Sequence, residues 1–438
     1  MLLRLCDRSR LRAPRGPNRG KPARRLSLEA LEERCLPAGD VVLQWNQAVL
    51  AAIRADKPTI GFVTRDLAIV HTAIYDAVNA IDQTHRSYAV QISGVSRQAS
   101  QAAAADAAAH DVLVALYPRL TGTLDATLQQ SLTLVQDGVA KTEGIRIGQA
   151  VARGILALRS NDGADQAPLP YVFGSAPGDY QSTPPNSPKQ PQFTHWRNVT
   201  PFALKQADQF RPGPPPALTS DRYGDEVNEV QSLGVSGGTT ATPDEALTGR
   251  FWNGAIQNYW NEIAQTASLD RHLTIAQKAR LFALLNLSFA DGVIAFYDAK
   301  YTYNRWRPVT AIRAAGADNN PDTTPDANWL PEVGNTAADP AYPGAHAVIS
   351  AAGAAVLIAI LQRDHLDFAV TSEVLPGVER SFASFSAAAD EATQSRIFAG
   401  VHFRNDLTSG HRLGRDIADF VLDHFLTRRH RHDEDGVK

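Results

Sequence analysis

Two basic side chains near residue 300 have the types and spacing to bind a multiply charged anion. Residues 300–308 read KYTYNRWRP and place Lys300 and Arg307 seven positions apart. That distance is two helical turns, so both cations lie on one face if a helix continues through them. Arginine offers a planar fork of donors and lysine a point charge, and together they suit an oxyanion.

A second segment, residues 343–346, reads PGAH and stands before the apolar run Ala347 to Leu361. A turn of small residues that opens a helix presents free backbone N–H groups, which form a ready anion site. His346 lies at the start of this predicted helix, where an imidazole is suited to general acid or base chemistry.

A third segment, residues 395–406, reads SRIFAGVHFRND. It adds the cation Arg396, the imidazole of His402, and the carboxylate of Asp406 four positions later. That carboxylate either orients the His402 ring or caps the next helix. Each of the three segments alone is typical of an ordinary helix end, so the functional interpretation depends on all three occurring together.

In order, the segments follow the patterns K-x6-R-P, P-S-G-H with two departures, and S-R-x5-H-x3-D. Together they resemble the superfamily of vanadium-dependent haloperoxidases and type-2 phosphatidic acid phosphatases. Residues 45–82, 195–202 and 209–212 are also similar to bacterial haloperoxidase-like proteins, so the resemblance covers about residues 41–430. The short phosphatases of the superfamily do not share this N-terminal half, which favours the haloperoxidase-like branch.

The resemblance implies a role for each motif residue. It makes His402 the ligand of vanadium in a vanadate cofactor and His346 the acid or base beside the apical oxygen, with Lys300 also polarising peroxide. The donors to the vanadate oxygens would be the side chains of Lys300, Arg307 and Arg396 and the backbone N–H groups of Gly344 and Ala345. Asp406 and Ser395 would lie behind these groups and support them. Phosphate has the same shape and would occupy the same site.

The function implied is a haloperoxidase that uses hydrogen peroxide and halide to form a hypohalous-acid-like species, which halogenates an organic acceptor. Two alternatives stay open. The same pocket would serve a metal-free acid phosphatase in which His402 attacks phosphorus and His346 protonates the leaving alcohol. An exported oxyanion-binding protein without turnover is the third possibility.

Three positions depart from the family pattern. Gly344 stands where the family usually has serine, which removes a hydroxyl and weakens oxyanion binding by about 1–2 kcal/mol. Ala345 replaces glycine and is tolerated only if its φ is negative. Tyr297 stands where relatives often carry tryptophan. None of these changes removes a charged group.

The elements that position these residues are predicted to be helices. Hydrophobic residues are 44% and charged residues 20% of the 438, a globular composition. Apolar side chains recur at helical spacing from Pro58 to Asp82. Similar patterns occupy about 100–117, 122–136, 140–160, 245–267, 274–299, 345–363, 384–400 and 406–427. We therefore predict an all-α protein of helical bundles of the haloperoxidase and phosphatase type, with no sheet beyond short hairpins.

We predict one domain over residues 41–430, with the phosphatase-type core at about 245–427. Between about 163 and 220 twelve prolines exclude continuous helix, and the aromatic residues among them favour a segment wrapped on the surface. Residues 431–438 form a charged tail. The sequence leaves the oligomeric state open, a homo-oligomer included.

Charge and cysteine content narrow the partners. Residues 1–40 carry ten Lys/Arg and five Asp/Glu, so the remainder is more acidic than the total of −3, which disfavours nucleic acid. Ala347 to Leu361 is too short to span a membrane. Both cysteines, Cys6 and Cys35, lie in this basic leader, where residues 28–34 resemble a bacterial sorting segment. We therefore expect export to the periplasm or the extracellular space.

Overall fold

The computed structural model describes residues 40–429, and thirteen α-helices make up most of this range. In chain order they are α1 (Val41–Asp56), α2 (Ile60–Asp82), α3 (Gln101–Leu116), α4 (Thr121–Leu132), α5 (Val139–Arg159), α6 (Asp221–Leu233), α7 (Pro243–Phe251), α8 (Ile256–Asp270), α9 (Ile275–Tyr303), α10 (Pro308–Arg313), α11 (Ala345–Leu361), α12 (Phe385–Phe398) and α13 (Arg404–His424). The leader 1–39 and the tail from 430 lie outside the described residues. The predicted all-α class is confirmed.

The sheet content is a single antiparallel hairpin within the described range, formed by β1 (His365–Thr371) and β2 (Glu379–Ser384). Phe368 pairs with Phe382 across it, and both side chains are buried. The prediction of no sheet beyond short hairpins is therefore confirmed.

Most predicted helices are present, but one is interrupted. The pattern at about 245–267 predicted a single helix, whereas the chain forms α7 and α8 with a break between them. A Cβ atom on Gly254 would stand 2.8 Å from Tyr259 Oη and 3.1 Å from Glu373 Cβ, so the backbone there packs against the turn after β1. Neither α6 nor the short α10 appeared among the predicted helices.

Helix α9 is the central element that carries the first motif. Thr274 caps it with its side chain, reciprocated by Gln277, and the left-handed Asn304 (φ 47°) ends it. By length and composition it would cross a membrane, yet 94% of its most apolar stretch is buried inside the protein. It packs against α2, α8, α11 and α13, so its apolar surface contributes to the main core.

The proline-rich segment between α5 and α6 is held against α9 by buried carboxylates. Asp291 accepts backbone N–H bonds from Phe202, Ala203 and Leu204 at 2.6–2.7 Å. Asp298, two residues before Lys300, accepts from Arg197 at 2.9 Å. Because these acceptors project from one side of α9, the segment lies on the helix that carries Lys300.

Close packing of α11 against α13 brings the second and third motifs together. A Cβ atom on Gly414 would lie 2.1 Å from Val348 O, and one on Gly410 would lie 2.6 Å from Gly344 O. Only glycine allows two backbones to approach this closely. The start of α11 is thereby fixed beside the start of α13.

Candidate oxyanion-binding site

The side chains of all three motifs line one cavity of about 350 Å³. Lys300 comes from the last turn of α9 and Arg307 from the residue before α10. His346 comes from the first turn of α11, Arg396 from the last turn of α12, and His402 from the loop before α13. The structure therefore brings together five residues that span about a hundred positions of chain.

Lys300 and Arg307 meet by a different route from the one their spacing suggested. The helix does not continue through them, because Asn304 ends α9 in a left-handed conformation. The chain then turns back, with Trp306 N donating to Gly178 O at 2.9 Å. Both cations are nevertheless buried, and they are brought to the same carboxylate.

That carboxylate, Asp339, was not predicted. Its Oδ1 lies 3.0 Å from Lys300 Nζ and also accepts from Arg307 Nη2, and its backbone oxygen accepts from Arg307 Nε at 2.8 Å. Burial alone would raise the pKa of Asp339, but the attraction of Lys300 and Arg307 holds that pKa below its ordinary value. Asp339 is therefore an ionised carboxylate in the wall of an anion pocket.

Burial shifts the pKa of the neighbouring cation, Lys300, in the opposite direction. It lowers the pKa of Lys300 to about 8, against the opposing attraction of Asp339. Lys300 is therefore mainly protonated at neutral pH and approaches its titration range just above it.

Arg396 differs from the other two cations because no carboxylate pairs with it. Its Nη2 donates to Asn253 Oδ1 at 3.1 Å, while its Nε and Nη1 have no hydrogen-bond partner among the described residues. The side chain is 5% exposed. Burial, with repulsion from Arg307, lowers its pKa to about 9. Two buried, unpaired guanidinium donors are costly unless an anion accepts from them.

His402 is held as a neutral ring with a fixed orientation. Its Nδ1 lies 3.1 Å from Asp406 Oδ2, which also accepts from Phe403 N at 3.0 Å. Asp406 therefore both orients the imidazole and caps α13. Burial, with repulsion from Arg307, lowers the pKa of His402 well below its usual range. Because Nδ1 carries the proton that Asp406 accepts, Nε2 keeps its lone pair on the cavity side, where it accepts from Arg307 Nη1 at 3.2 Å.

His346 has the reverse arrangement of its ring nitrogens. Its Nε2 lies 2.9 Å from the carbonyl oxygen of Trp252, which can only accept, so Nε2 carries the proton and Nδ1 the lone pair. Burial, with repulsion from Arg396, lowers the pKa of His346 well below its usual range. His346 is thus a neutral base at physiological pH.

The backbone prediction at the start of α11 is wrong for Gly344. Its N–H donates to Asp406 O at 2.9 Å and is not free for an oxyanion. Ala345 lines the cavity as the first residue of α11, and its φ is not positive, which meets the condition set for an alanine there. The first hydrogen bond of the helix runs from Val348 N to Gly344 O. The N–H groups of Ala345 and His346 lie before it and so have no acceptor within the helix.

The remaining predicted residues have structural contacts. Ser395 donates its hydroxyl to Ala392 O at 2.7 Å, within its own helix. Tyr297 is buried, and its Oη lies 3.5 Å from Asp339 Oδ2. Two histidines outside the motifs, His71 and His411, do not line the pocket. His71 Nε2 lies 3.2 Å from Asn46 Oδ1 in the core, and His411 Nε2 lies 3.9 Å from Asp390 Oδ1.

These groups fit a tetrahedral oxyanion bound through one imidazole. Arg396 supplies two unused donors, and Lys300 and Arg307 add positive charge. His402 supplies a lone pair, the form in which imidazole binds a metal centre. Within residues 40–429 no three His, Cys, Asp or Glu side chains are grouped as they would be around a bare metal ion. The residues present therefore fit vanadate or phosphate, and Asp339 is the carboxylate among the described residues that line the cavity.

The fold and the pocket together define a class of protein, namely a helical protein with a buried site for an oxyanion. Residues 280–431 match the family model of the second helical-bundle domain of vanadium chloroperoxidase. The vanadium chloroperoxidase of Curvularia inaequalis is 24% identical over 395 residues, which take in 71% of this chain and 64% of that protein. The match thus spans a little less than two thirds of the curated relative.

Two solved structures of bacterial vanadium-dependent haloperoxidases have the same fold as this chain. The first bacterial vanadium-dependent iodoperoxidase to be crystallised superposes with a TM-score of 0.76 at 26% identity, covering 90% of this chain and 99% of that one. A holo bacterial vanadium-dependent chloroperoxidase has the same fold, with a TM-score of 0.65 at 18% identity over 83% and 91% of the two chains. The predicted resemblance to the vanadium haloperoxidases is confirmed.

Proposed function

We propose that this protein is a vanadate-dependent haloperoxidase that uses hydrogen peroxide to oxidise halide. The observation that carries the proposal is the pairing of a neutral His402, fixed by Asp406, with the unpaired buried donors of Arg396 in one cavity. A relative that is 26% identical over nearly its whole length is a vanadium-dependent iodoperoxidase, which supports the same activity here.

The residues divide into those that hold the cofactor and those that move protons. His402 Nε2 would bind vanadium, and Arg396, Arg307 and Lys300 would bind the oxygens. Bound vanadate supplies Lewis-acid activation of peroxide. His346 Nδ1 would accept a proton from incoming hydrogen peroxide, because the proton of the ring lies on Nε2, which donates to Trp252 O. Lys300, which lines the same cavity, would place its positive charge beside the bound oxygens and so favour attack by halide.

The test is a halide-oxidation assay on protein freed of vanadate, with and without one equivalent of added vanadate. We expect iodide or bromide oxidation only after addition, and we expect prior phosphate to delay it because both anions need Arg396. Activity that is unchanged by vanadate would contradict the proposal. Vanadate-inhibited hydrolysis of a phosphate ester, without halide oxidation, would assign the same pocket to a phosphatase.

We further propose that the protein is exported, on the basis of the basic leader and its sorting-type segment at residues 28–34. Fusing residues 1–40 to a reporter enzyme and measuring its location tests this. Retention of the reporter in the cytoplasm would contradict export.

A further inference from the structure

A second cavity lies where the chain leaves α13. It has a volume of about 810 Å³, and no described residue lines both this cavity and the oxyanion pocket. Two backbone hydrogen bonds hold the segment after α13 against the connection between α2 and α3. They run from Arg86 N to Thr427 O at 2.8 Å and from Arg429 N to Thr84 O at 3.1 Å. Residues from the start of α9 complete the wall of the cavity.

Three arginines line this cavity, Arg280, Arg428 and Arg429, and we call it the arginine cleft. Arg280 is half-buried and donates from Nε to Leu426 O at 2.9 Å, whereas Arg428 and Arg429 are exposed. None of the three arginines forms an ion pair within residues 40–429. Asp82 is the carboxylate among the described residues that line the cleft, so three positive charges and one negative charge leave a net charge of two positive charges.

The charged groups of the arginine cleft lie close enough to repel one another. Burial lowers the pKa of Arg280, and repulsion from Arg428 lowers that pKa further. Burial, with repulsion from Arg280 and Arg428, also lowers the pKa of His85 to about 4, and His85 lines the same cleft. The His85 ring is therefore neutral at physiological pH and adds no charge. Like charges held together without a counterion cost free energy, which a bound anion would recover.

The first turn of α9 adds uncharged donors to the cleft. The first hydrogen bond of this helix runs from Lys278 N to Thr274 O, and Gln277 N donates to Thr274 Oγ1. The N–H groups of Ile275 and Ala276 lie before that bond and have no acceptor within the helix, and Ala276 lines the cleft. The N-terminal end of a helix carries partial positive charge and favours anions. The cleft therefore combines three unpaired arginines with the start of a long helix.

We propose that the arginine cleft binds a phosphate monoester of a small organic molecule. Such an ester carries about −1.5 to −2 charges at neutral pH, which matches the two positive charges left in the cleft. Planar guanidinium groups suit its oxygens because they donate paired hydrogen bonds. The organic part would contact Leu273 and Ile360, and the volume of the cleft lies within the range of small-molecule sites. The cleft is separate from the oxyanion pocket, so its occupancy does not depend on the proposed function.

The test is calorimetric titration of the full chain with glucose 6-phosphate, glucose 6-sulfate and glucose, without vanadate or peroxide. We expect saturable binding of the phosphate ester, weaker binding of the sulfate ester because it carries a single negative charge, and no binding of glucose. The double variant Arg428→Gln with Arg429→Gln should fold, because both side chains are exposed. It should bind glucose 6-phosphate roughly tenfold more weakly than the parent, since charged hydrogen bonds to the phosphate are lost.

A second double variant controls for the change in net charge. Arg412 and Arg415 are exposed on α13 and do not line the arginine cleft. Arg412→Gln with Arg415→Gln removes the same number of charges and should bind glucose 6-phosphate as the parent does. Unchanged affinity in the Arg428→Gln and Arg429→Gln variant, as expected if the ester binds in the oxyanion pocket instead, would overturn the proposal. Binding of the sulfate ester as tight as that of the phosphate ester would overturn the assignment to a phosphate monoester.

Discussion

Asp339 competes with an oxyanion for two of the three cations in the pocket, and replacing it should strengthen anion binding. Asp339→Asn keeps the shape of the side chain and removes its charge. In the parent, Lys300 Nζ lies 3.0 Å from the carboxylate, and Arg307 donates to it from Nη2 and to the backbone oxygen of Asp339 from Nε. An incoming oxyanion must share these donors with Asp339, so it gains less binding free energy from them than it would if Asp339 were uncharged.

The magnitude follows from the two charged hydrogen bonds that the Asp339 carboxylate accepts. A hydrogen bond to a charged group contributes about 1.5–3 kcal/mol net, and Asp339 makes one with each cation. If an oxyanion recovers about 2 kcal/mol of this, its Kd falls roughly 30-fold. In the absence of an anion, the same change leaves two buried cations unpaired and should cost about 3–5 kcal/mol of folding free energy.

Phosphate is the probe, measured by calorimetry and by thermal unfolding at increasing concentration. We expect Asp339→Asn to bind phosphate more tightly and to be destabilised without it, with stability restored as the site fills. Asp298→Asn is the matched control, because Asp298 is a buried carboxylate on α9, the helix of Lys300, and pairs with Arg197 and Arg211 outside the pocket. It should lose stability without gaining phosphate affinity. Weaker or unchanged phosphate binding in Asp339→Asn would show that the carboxylate supports the anion site rather than competing with it.

Three further predictions concern the pocket and the loop behind it. His402→Ala should abolish stable vanadate binding, measured by equilibrium dialysis, while phosphate still binds. His346→Ala should retain vanadate and lose about 10²–10⁴-fold in turnover. Equal vanadate affinity in the parent and in His402→Ala would contradict the site. Because burial lowers the pKa of Lys300 to about 8, the charge of Lys300 is lost above that pH, and phosphate affinity measured by calorimetry should fall between pH 8 and 9. In Lys300→Arg this fall should be absent, because arginine keeps its charge throughout this range. Gly400→Ala should lower the free energy of unfolding, measured by chemical denaturation, by about 2 kcal/mol or more, since φ is +77° and the new Cβ would lie 2.2 Å from Gly234 O. The control Gly377→Ala has a φ of +79° but no atom near the new Cβ, and it should lower the free energy of unfolding by about 1 kcal/mol.

The sequence contains enough information to predict the helical class and the convergence of the three motifs. Periodic apolar residues locate the helices because helix faces must be buried. The interruption between α7 and α8 has no such local signal, because it depends on Gly254 packing against Glu373, more than a hundred residues later. The seven-residue spacing of Lys300 and Arg307 predicted that the two side chains lie close together on one face of a continuous helix. They do lie close together, but the helix ends between them.

Asp339 was beyond the reach of sequence patterns for a similar reason. A carboxylate four residues before Pro343 has no motif around it, and its importance comes from the turn that brings Lys300 and Arg307 to it.

The departures from the family pattern act in the same direction as Asp339. Gly344 has no hydroxyl for an oxyanion, and its N–H is taken by Asp406 O. A Cβ atom at this position would lie 3.0 Å from Leu407 Cδ2, so a serine would require a small shift of the Leu407 side chain. Lys300 and Arg307 share one carboxylate, which leaves Arg396 as the cation of the pocket with unused donors. The hold on an oxyanion therefore depends chiefly on Arg396 and on the imidazole that Asp406 orients, and those two contacts distinguish this pocket from a generally basic cleft.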